Sequence, residues 1–255
     1  MAEIIKISYP VNKNFSKFKV PEITFRKKTE DLNPKTKSKI ALGAFLGAVA
    51  PVVVLNACKK GRVSEVINSF KNKLPLKDKF KAIWNMFEIE NYLQILATTT
   101  GGVLGGLLGG LKFAKNKSEK EAKYKEGIFE FLNNMTPTTM VAVLTAYSNK
   151  TGKFKSPLAR GCIILGSVVS GMFLANRTSN KIYEKFFDKN KKKEEKTVRD
   201  FKITDTFVHV DDLLNLAVLA RIPFASKFQM DKLLPFIYAR SGLEVGLAKN
   251  NSDKN

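Results

Sequence analysis

The side chains that could carry out chemistry are few and lie far apart along the chain. His209 is the single histidine, and Cys58 and Cys162 are the two cysteines. Metal sites and general-base catalysis use histidines or cysteines that converge in groups. Because neither cysteine belongs to a CxxC or Cys/His grouping, these residues indicate no zinc centre and no thioredoxin-like activity.

Asp211 and Asp212 are adjacent carboxylates, which suggests a magnesium site. A magnesium-diphosphate site needs several converging carboxylates, but Asn215 stands where a third acid would be needed. Acids in the first turn of a helix also cap it and complement its dipole. We therefore predict no catalytic residue, no metal site, no cofactor, no small-molecule substrate and no enzymatic activity.

Glycines four residues apart dominate the charge-free segment 91–111. They form two interleaved rows: Gly101, Gly105 and Gly109, and Gly102, Gly106 and Gly110. No Gly-Lys-Ser/Thr ending follows them, which excludes a phosphate loop. Each glycine costs a helix in water about 1 kcal/mol relative to alanine, whereas in a membrane a glycine row lets another helix pack closely. We predict a glycine-zipper span whose partners are small residues of other spans: Gly43, Gly47, Ser167 and Gly171.

Four apolar segments are long enough for membrane-spanning helices. They lie near 40–58, 91–111, 127–149 and 158–176. At about 1.5 Å per residue, such helices approach the ~30 Å thickness of the hydrocarbon core of a bilayer. The sequence therefore predicts an all-α integral membrane bundle over 40–180. Glu130 of the third segment is expected near the span's end, where it can reach the interface.

Residues 62–89, between the first two spans, place lysines and apolar residues on opposite faces at helical spacing. This pattern predicts two amphipathic helices, with aromatic and basic faces typical of helices that lie in a membrane interface. Two core-facing helices of a soluble domain are the alternative. The residues expected at the lipid headgroups are Lys59, Lys60, Lys77, Lys81 and Trp84.

The remaining segments are polar or too short to span. Residues 1–39 are predicted to form a basic, largely extended or disordered arm. Residues 181–203 are predicted to form a basic charged helix or linker, and residues 249–255 a disordered tail. Residues 204–248 are apolar, and their second helix is expected to end at Gly242. We expect this last region to form a helical hairpin packed on the bundle or lying at the interface.

Basic residues far outnumber acidic ones, and most of them are lysine. The formal net charge is +21, from 44 Lys and Arg against 23 Asp and Glu. Lysine acts as a point charge toward phosphate and does not read base edges bidentately as arginine does. The excess therefore suits sequence-blind attraction to anionic surfaces, which lipid headgroups and nucleic-acid backbones both provide. We expect anionic lipid as the partner and not nucleic acid, because no aromatics are interleaved with Arg as a stacking platform. Together, the arm, the connector after the second span and the stretch after the fourth span carry more Lys and Arg than the two segments on the other side of the membrane. This distribution predicts cytoplasmic termini.

These features predict a non-enzymatic membrane protein whose glycines drive helix packing, as a homo-oligomer or with partner membrane helices. One alternative is a channel, transporter or protein-translocation component. The polar residues that would line its path are Thr98, Thr99, Thr100, Asn133, Asn134 and Thr136. The second alternative is a soluble, basic, helical nucleic-acid-binding protein, which only the lysine excess supports. In the predicted topology Cys58 and Cys162 lie on the non-cytoplasmic side, where they could form a disulfide.

Overall fold

The computed structural model of this chain describes residues 32–59, 61–152, 156–189 and 229–249, apart from the side chains at 157, 158 and 160. These residues form seven α-helices and no strand. In chain order the helices are α1 (Pro34–Ala57), α2 (Arg62–Lys71), α3 (Leu76–Trp84), α4 (Tyr92–Phe113), α5 (Lys117–Thr151), α6 (Pro157–Phe186) and α7 (Met230–Leu247). The prediction of an all-helical bundle is confirmed.

Capping side chains fix where the long helices begin. Asn33 Oδ1 accepts a hydrogen bond from the backbone N–H of Lys35 at 3.0 Å, and Pro34 lies in the first turn, where its missing N–H is not needed. α1 therefore begins inside the stretch predicted as an extended arm, because a proline in the first turn favours a helix. Asn91 and Asn116 cap α4 and α5 in the same way.

The third and fourth predicted spans are parts of longer helices. α5 begins at Lys117, well before the span predicted near 127–149, because the residues from Lys117 to Glu126 are largely good helix formers. It continues through Pro137. α6 likewise extends to Phe186, into the basic stretch predicted to start at 181. Residues 190–228, which include most of that stretch and the first part of the predicted C-terminal hairpin, lie outside the described residues.

α1, α4 and α7 pack together as a three-helix group. α1 is antiparallel to both of its partners, because Gly43 lies against Gly105 while Gly47 lies against Gly101, and Ile40 contacts Gly246. α4 and α7 are parallel. Their contacts advance together along the two chains: Gly102 with Tyr238, Gly106 with Gly242, and Gly110 with Gly246.

α5 joins α6 to this group and is antiparallel to α4, α6 and α7. Its orientation follows from three hydrogen-bonded pairs: Tyr92 with Thr139, Lys123 with Ala248, and Lys125 with Asp188. α1 therefore begins at the same end of the bundle at which α6 and α7 end. α7 begins at the other end, where Gln229 bonds to Trp84 of α3.

The helices bury small residues and leave many large apolar ones outside. On α1 the buried positions recur every fourth residue, at Ile40, Ala44, Ala48 and Val52. Two clusters of buried apolar residues lie in the interior. One lies among α1, α4 and α7 and consists of Ala48, Val52, Ile89, Ile95, Leu234, Tyr238 and Ala239. The other lies between α5 and α6 and consists of Val141, Ile164, Val168 and Met172.

Two helices within the described residues are long and apolar enough to cross a membrane, judged by length and composition. They are Pro34–Ala57 and Gly161–Phe186. α4 and α5 cover the spans predicted near 91–111 and 127–149, but neither meets this criterion. Glycines and threonines in α4, and charged residues in α5, lower their apolar character. The number of spans therefore stays a prediction.

Candidate functional site

The closest helix contacts form a glycine seam that joins α1, α4 and α7. Its members are Gly43 and Gly47 of α1, Gly101, Gly102, Gly105, Gly106, Gly109 and Gly110 of α4, and Gly242 and Gly246 of α7. The two rows of α4 face different partners: the row that begins at Gly101 faces α1, and the row that begins at Gly102 faces α7. α4 is thus held between two helices.

Backbones in this seam approach too closely for a side chain to fit. A Cβ atom added to Gly102 would lie 2.7 Å from the carbonyl oxygen of Tyr238, and one added to Gly110 would lie 2.5 Å from that of Gly246. Such proximity permits Cα–H···O contacts between helices. It also means that a substitution at these positions must push two helices apart.

The small residues of α6 do not take part in the seam. Gly171 lies against Pro137 of α5, and Ser167 is buried on the same face of α6, which packs mainly on α5. Both residues were predicted as partners of α4. Small-residue spacing alone indicates a packing face without indicating which helix covers it.

Gly242 and Gly246 of α7 occupy the place predicted for α6. Sequence reasoning missed them because it assigned Gly242 as the end of a helix, whereas α7 continues to Leu247. The signal was present in the sequence, since these two glycines are four residues apart, as in the rows of α4.

A buried hydrogen-bond network closes the end of the bundle that carries α2 and α3. Asn56 Nδ2, near the end of α1, donates to the carbonyl oxygens of Met86 and Glu88 at 2.9 and 2.8 Å. Asn56 Oδ1 accepts from Gln94 Nε2 at 2.8 Å. The network therefore links α1, the segment after α3, and α4.

Ion pairs reinforce this end. Arg62, at the start of α2, contacts Glu88 at 2.5 Å and Glu90 at 3.0 Å, and Lys59 contacts Glu90 at 2.7 Å. The contact with the Lys59 ammonium is the main reason why the pKa of Glu90 lies below its ordinary value. Partial burial opposes this shift, and Arg62 adds to it.

Trp84 connects α3 to α7 through an aromatic cluster. Its ring centroid lies 6.0 Å from that of Phe80, 5.7 Å from that of Phe87 and 6.0 Å from that of Phe236. Its Nε1 donates to Gln229 Oε1 at 2.9 Å. Trp84, for which a headgroup contact is predicted, is thus half-buried among protein rings.

The outer face of α2 and α3 combines exposed apolar residues with lysines. Leu76 is 82% exposed and Phe80 63%. Lys77 and Lys81, predicted at the headgroups, are exposed on the same helix. Lys59 instead bonds to a carboxylate, and Lys60 lies outside the described residues. This face has the composition of an interfacial surface.

α5 places its polar residues toward the interior. Its buried polar and charged residues are Glu119, Lys123, Lys125, Glu126, Glu130, Asn133, Asn134, Thr138 and Ser148. Val143 and Leu144, by contrast, are exposed. Glu130, predicted near a span end, is only 4% exposed, because α5 begins at Lys117 and carries Glu130 into the bundle.

Five buried polar atoms on α4, α5 and α6 have no hydrogen-bond partner among the described residues. They are Thr98 Oγ1, Thr99 Oγ1, Asn133 Nδ2, Ser167 Oγ and Asn176 Oδ1. Leaving one such group dry costs about 1–3 kcal/mol. Buried water commonly satisfies groups of this kind in folded proteins.

No protein-family model, curated protein or solved structure matches this chain. Across the described ranges, no three His, Cys, Asp or Glu side chains converge as metal ligands. His209, Asp211 and Asp212 lie outside those ranges. Cys58 and Cys162 are both free and exposed, so the disulfide that the predicted topology allows is not formed.

Gly106→Ala should destabilise the bundle. The added Cβ would overlap the carbonyl oxygen of Gly242, and overpacking of a close contact costs about 1–3 kcal/mol. Gly166→Ala on α6 is the matched control, because nothing lies within 4 Å of the Cβ added there. Alanine should maintain or raise stability at that position. Thermal unfolding of both variants in one detergent measures the difference, and equal midpoints would contradict a structural role for the seam.

Acidification should loosen α2 and α3 from the bundle. The pKa of Glu90 in the folded protein lies below its ordinary value of 4.5. The ion pairs of Glu90 therefore contribute fully to stability above pH 4.5. This contribution is lost as the pH falls through the pKa of the folded state. Fluorescence of Trp84, the single tryptophan, reports the contact of α3 with α7. We expect a constant signal above pH 4.5 and a change below it. Glu90→Gln should diminish this change, and an identical pH profile in that variant would refute the assignment.

Proposed function

We propose that this chain is a non-enzymatic integral membrane protein whose four-span bundle is held together by the glycine seam. The observation that carries the proposal is the distribution of side chains by size. Ala44 and Ala48 are buried on α1, whereas Leu42 and Leu46 on the same helix are more than half exposed. A soluble bundle uses its large aliphatic side chains to fill the core, so an arrangement with leucines outside favours lipid as the solvent.

The burial of the two most apolar helices supports the same conclusion. A core helix of a soluble protein can be as long and apolar as a span, but it is then mostly buried. Only 28% of the apolar window of α1 and 39% of that of α6 are buried. The exposed remainder would be covered by hydrocarbon in a bilayer, where helices satisfy their own backbone hydrogen bonds.

The face formed by α2 and α3 supports a contact with anionic lipid. These helices lie at one end of the bundle, where the headgroups of one leaflet would be. Leu76 and Phe80 can enter the boundary of the hydrocarbon, while Lys77, Lys79 and Lys81 remain near the phosphates. In this orientation the beginning of α1 and the end of α7 share the other side, for which we propose the cytoplasm.

A solute-conducting role is the second candidate, and the buried polar face of α5 favours it. Nucleic-acid binding by a soluble protein gains support only from the net charge of +21. It would also leave the exposed leucines of several helices in water, which soluble monomers avoid.

Cell fractionation tests the membrane assignment. The full chain should stay in the membrane pellet after alkaline carbonate or high salt, because its contacts with lipid are apolar and not only ionic. Detergent should release it. Release by carbonate or salt alone would overturn the proposal and favour the soluble alternative.

Anionic lipid should raise the melting temperature of the detergent-purified protein. A ligand that binds only the folded state at about 100 times its Kd adds roughly 2.7 kcal/mol of stability. Zwitterionic lipid with the same acyl chains is the control and should add less. Replacement of Lys77, Lys79 and Lys81 by Gln should remove most of the difference between the two lipids. The same difference in this variant as in the parent protein would exclude these lysines as the lipid site.

A further inference from the structure

We propose that the outer face of α6 binds anionic phospholipid headgroups through the cations of its second half, and that the bundle is tilted in the bilayer to bring this site to the interface. The site rests on the membrane assignment proposed above. It is distinct from the face of α2 and α3, because it lies toward the opposite end of the bundle.

The exposed face of α6 changes from apolar to cationic along the helix. Its first part carries large apolar side chains that are 37% to 59% exposed: Leu165, Val169, Phe173 and Leu174. Its second part exposes three cations: Arg177, Lys181 and Lys185. Glu184 is exposed among them, so this part of the face keeps a positive charge. Basic residues directly after an apolar segment are typical of a helix that passes from hydrocarbon into anionic headgroups.

The helix dipole explains only the last of these cations. Positive side chains are favourable near the C-terminus of a helix, and the effect is confined to the final turn. α6 ends at Phe186, so Lys185 lies in that turn. Arg177 and Lys181 lie before it, and the dipole leaves their presence on this face unexplained.

Contacts through α5 place Lys181 half-way along α4. Tyr183 Oη of α6 donates to the carbonyl oxygen of Lys125 at 2.6 Å, which fixes the height of α6 against α5. A Cβ atom added to Gly127 of α5 would lie 3.8 Å from Val103, which fixes the height of α5 against α4. Because α5 is antiparallel to both helices, Lys181 lies at the height of Gly127 and therefore of Val103.

A second pair of contacts gives the same height. Gly171 of α6 lies against Pro137, and Thr139 bonds to Tyr92 of α4. Counting along the helices from these contacts agrees with the first assignment of Lys181 to within one residue. The cations of α6 therefore begin beside the middle of the bundle and not beyond its end.

α1 and α4 expose leucines at this same height. Leu104 of α4 is 48% exposed. Leu42 of α1 is 57% exposed and adjoins Gly43, which lies against Gly105 of α4. At the height of Lys181, the bundle thus presents large apolar side chains on α1 and α4 and a cation on α6.

α7 adds a second cation at nearly this height. Arg240 lies two residues before Gly242, which contacts Gly106 of α4. Its side chain is 78% exposed and lies 3.3 Å from Glu244. A bilayer perpendicular to the helices would place Arg240 and Lys181 in hydrocarbon, where a charged side chain is costly. Membrane helices tilt by up to about 40°, and a tilt that moves α6 and α7 toward the headgroups, and α1 away from them, avoids this cost.

Spin labels at matched heights test the tilt. The full chain carries Cys58→Ser and Cys162→Ser, because both native thiols are exposed, and is reconstituted into vesicles of phosphatidylcholine and phosphatidylglycerol. Nitroxides are attached at Lys181→Cys and at Leu104→Cys. We expect the first label to collide mainly with a water-soluble nickel chelate and the second mainly with oxygen, which concentrates in hydrocarbon. The ratio of the two collision rates should differ several-fold between the sites.

Each other result has a distinct meaning. A preference for oxygen at both sites would overturn the tilt and the headgroup site while leaving the membrane assignment intact. A preference for the nickel chelate at both sites, and also at Phe173→Cys, would refute the membrane assignment and this site with it. Little collision with either reagent at Lys181→Cys would place a second copy or another protein on this face, which would exclude lipid headgroups there.

Spin-labelled lipids then test the binding of headgroups. The background carries Gln at three positions of α3, which removes the other proposed lipid site: Lys77, Lys79 and Lys81. In that background, Gln is introduced at the three cations of α6: Arg177, Lys181 and Lys185. The preference of the protein for spin-labelled phosphatidylglycerol over phosphatidylcholine should fall roughly fivefold, since one cation near an anionic surface contributes about that factor.

The matched control removes the same charge at the same end of the bundle but away from α6. It carries Gln at three exposed positions around the turn between α4 and α5: Lys112, Lys115 and Lys117. This control should keep most of the preference for phosphatidylglycerol. Equal losses in the two variants would show attraction by net charge alone and would overturn the site on α6.

Discussion

The close approach of the α4 backbone to the backbones of α1 and α7 is the constraint on which the remaining structure depends. At the level of the glycines, the space between these helices cannot hold a side chain. Leucines of α1 and α4 are then directed outward, as at Leu42, Leu46 and Leu108. These outward leucines are the observation on which we base the proposal that lipid surrounds the bundle. One steric condition thus connects the spacing of the glycines to the side chains that the helices leave exposed.

The bundle contains two interfaces with different physics. Between α4 and α7 the contact is made by backbone atoms, and its stability comes from dispersion and from the loss of little side-chain entropy. Around α5 the contact is mixed, because hydrogen bonds such as that of Tyr92 with Thr139 accompany the apolar cluster that α5 forms with α6. The first interface leaves no room for a side chain at its glycines.

Sequence reasoning succeeded where the information was local. The apolar segments, the helical class and the two glycine rows could be read from spacing, because each lies within one helix. The helix that covers the row beginning at Gly102 could not be identified from spacing, because Gly242 and Gly246 are far from α4 in sequence. A single glycine is also a common helix end, so Gly242 had a second interpretation. The position of Glu130 was misjudged for a related reason. The average hydropathy of a segment does not show which of its residues face other helices, whereas α5 buries Glu130 together with amides such as Asn133 and Asn134.

The polar interior and the apolar exterior are consistent with each other. In hydrocarbon, a helix such as α5 cannot leave Glu130, Asn133 and Asn134 facing lipid, because each unsatisfied polar group there is costly. It can span only if other helices cover that face. The glycine seam provides the cover, since it fixes α4 and α7 side by side and together they present one surface to α5. The close packing of these helices at their glycines is therefore what allows α5, with its buried polar residues, to be part of the same bundle.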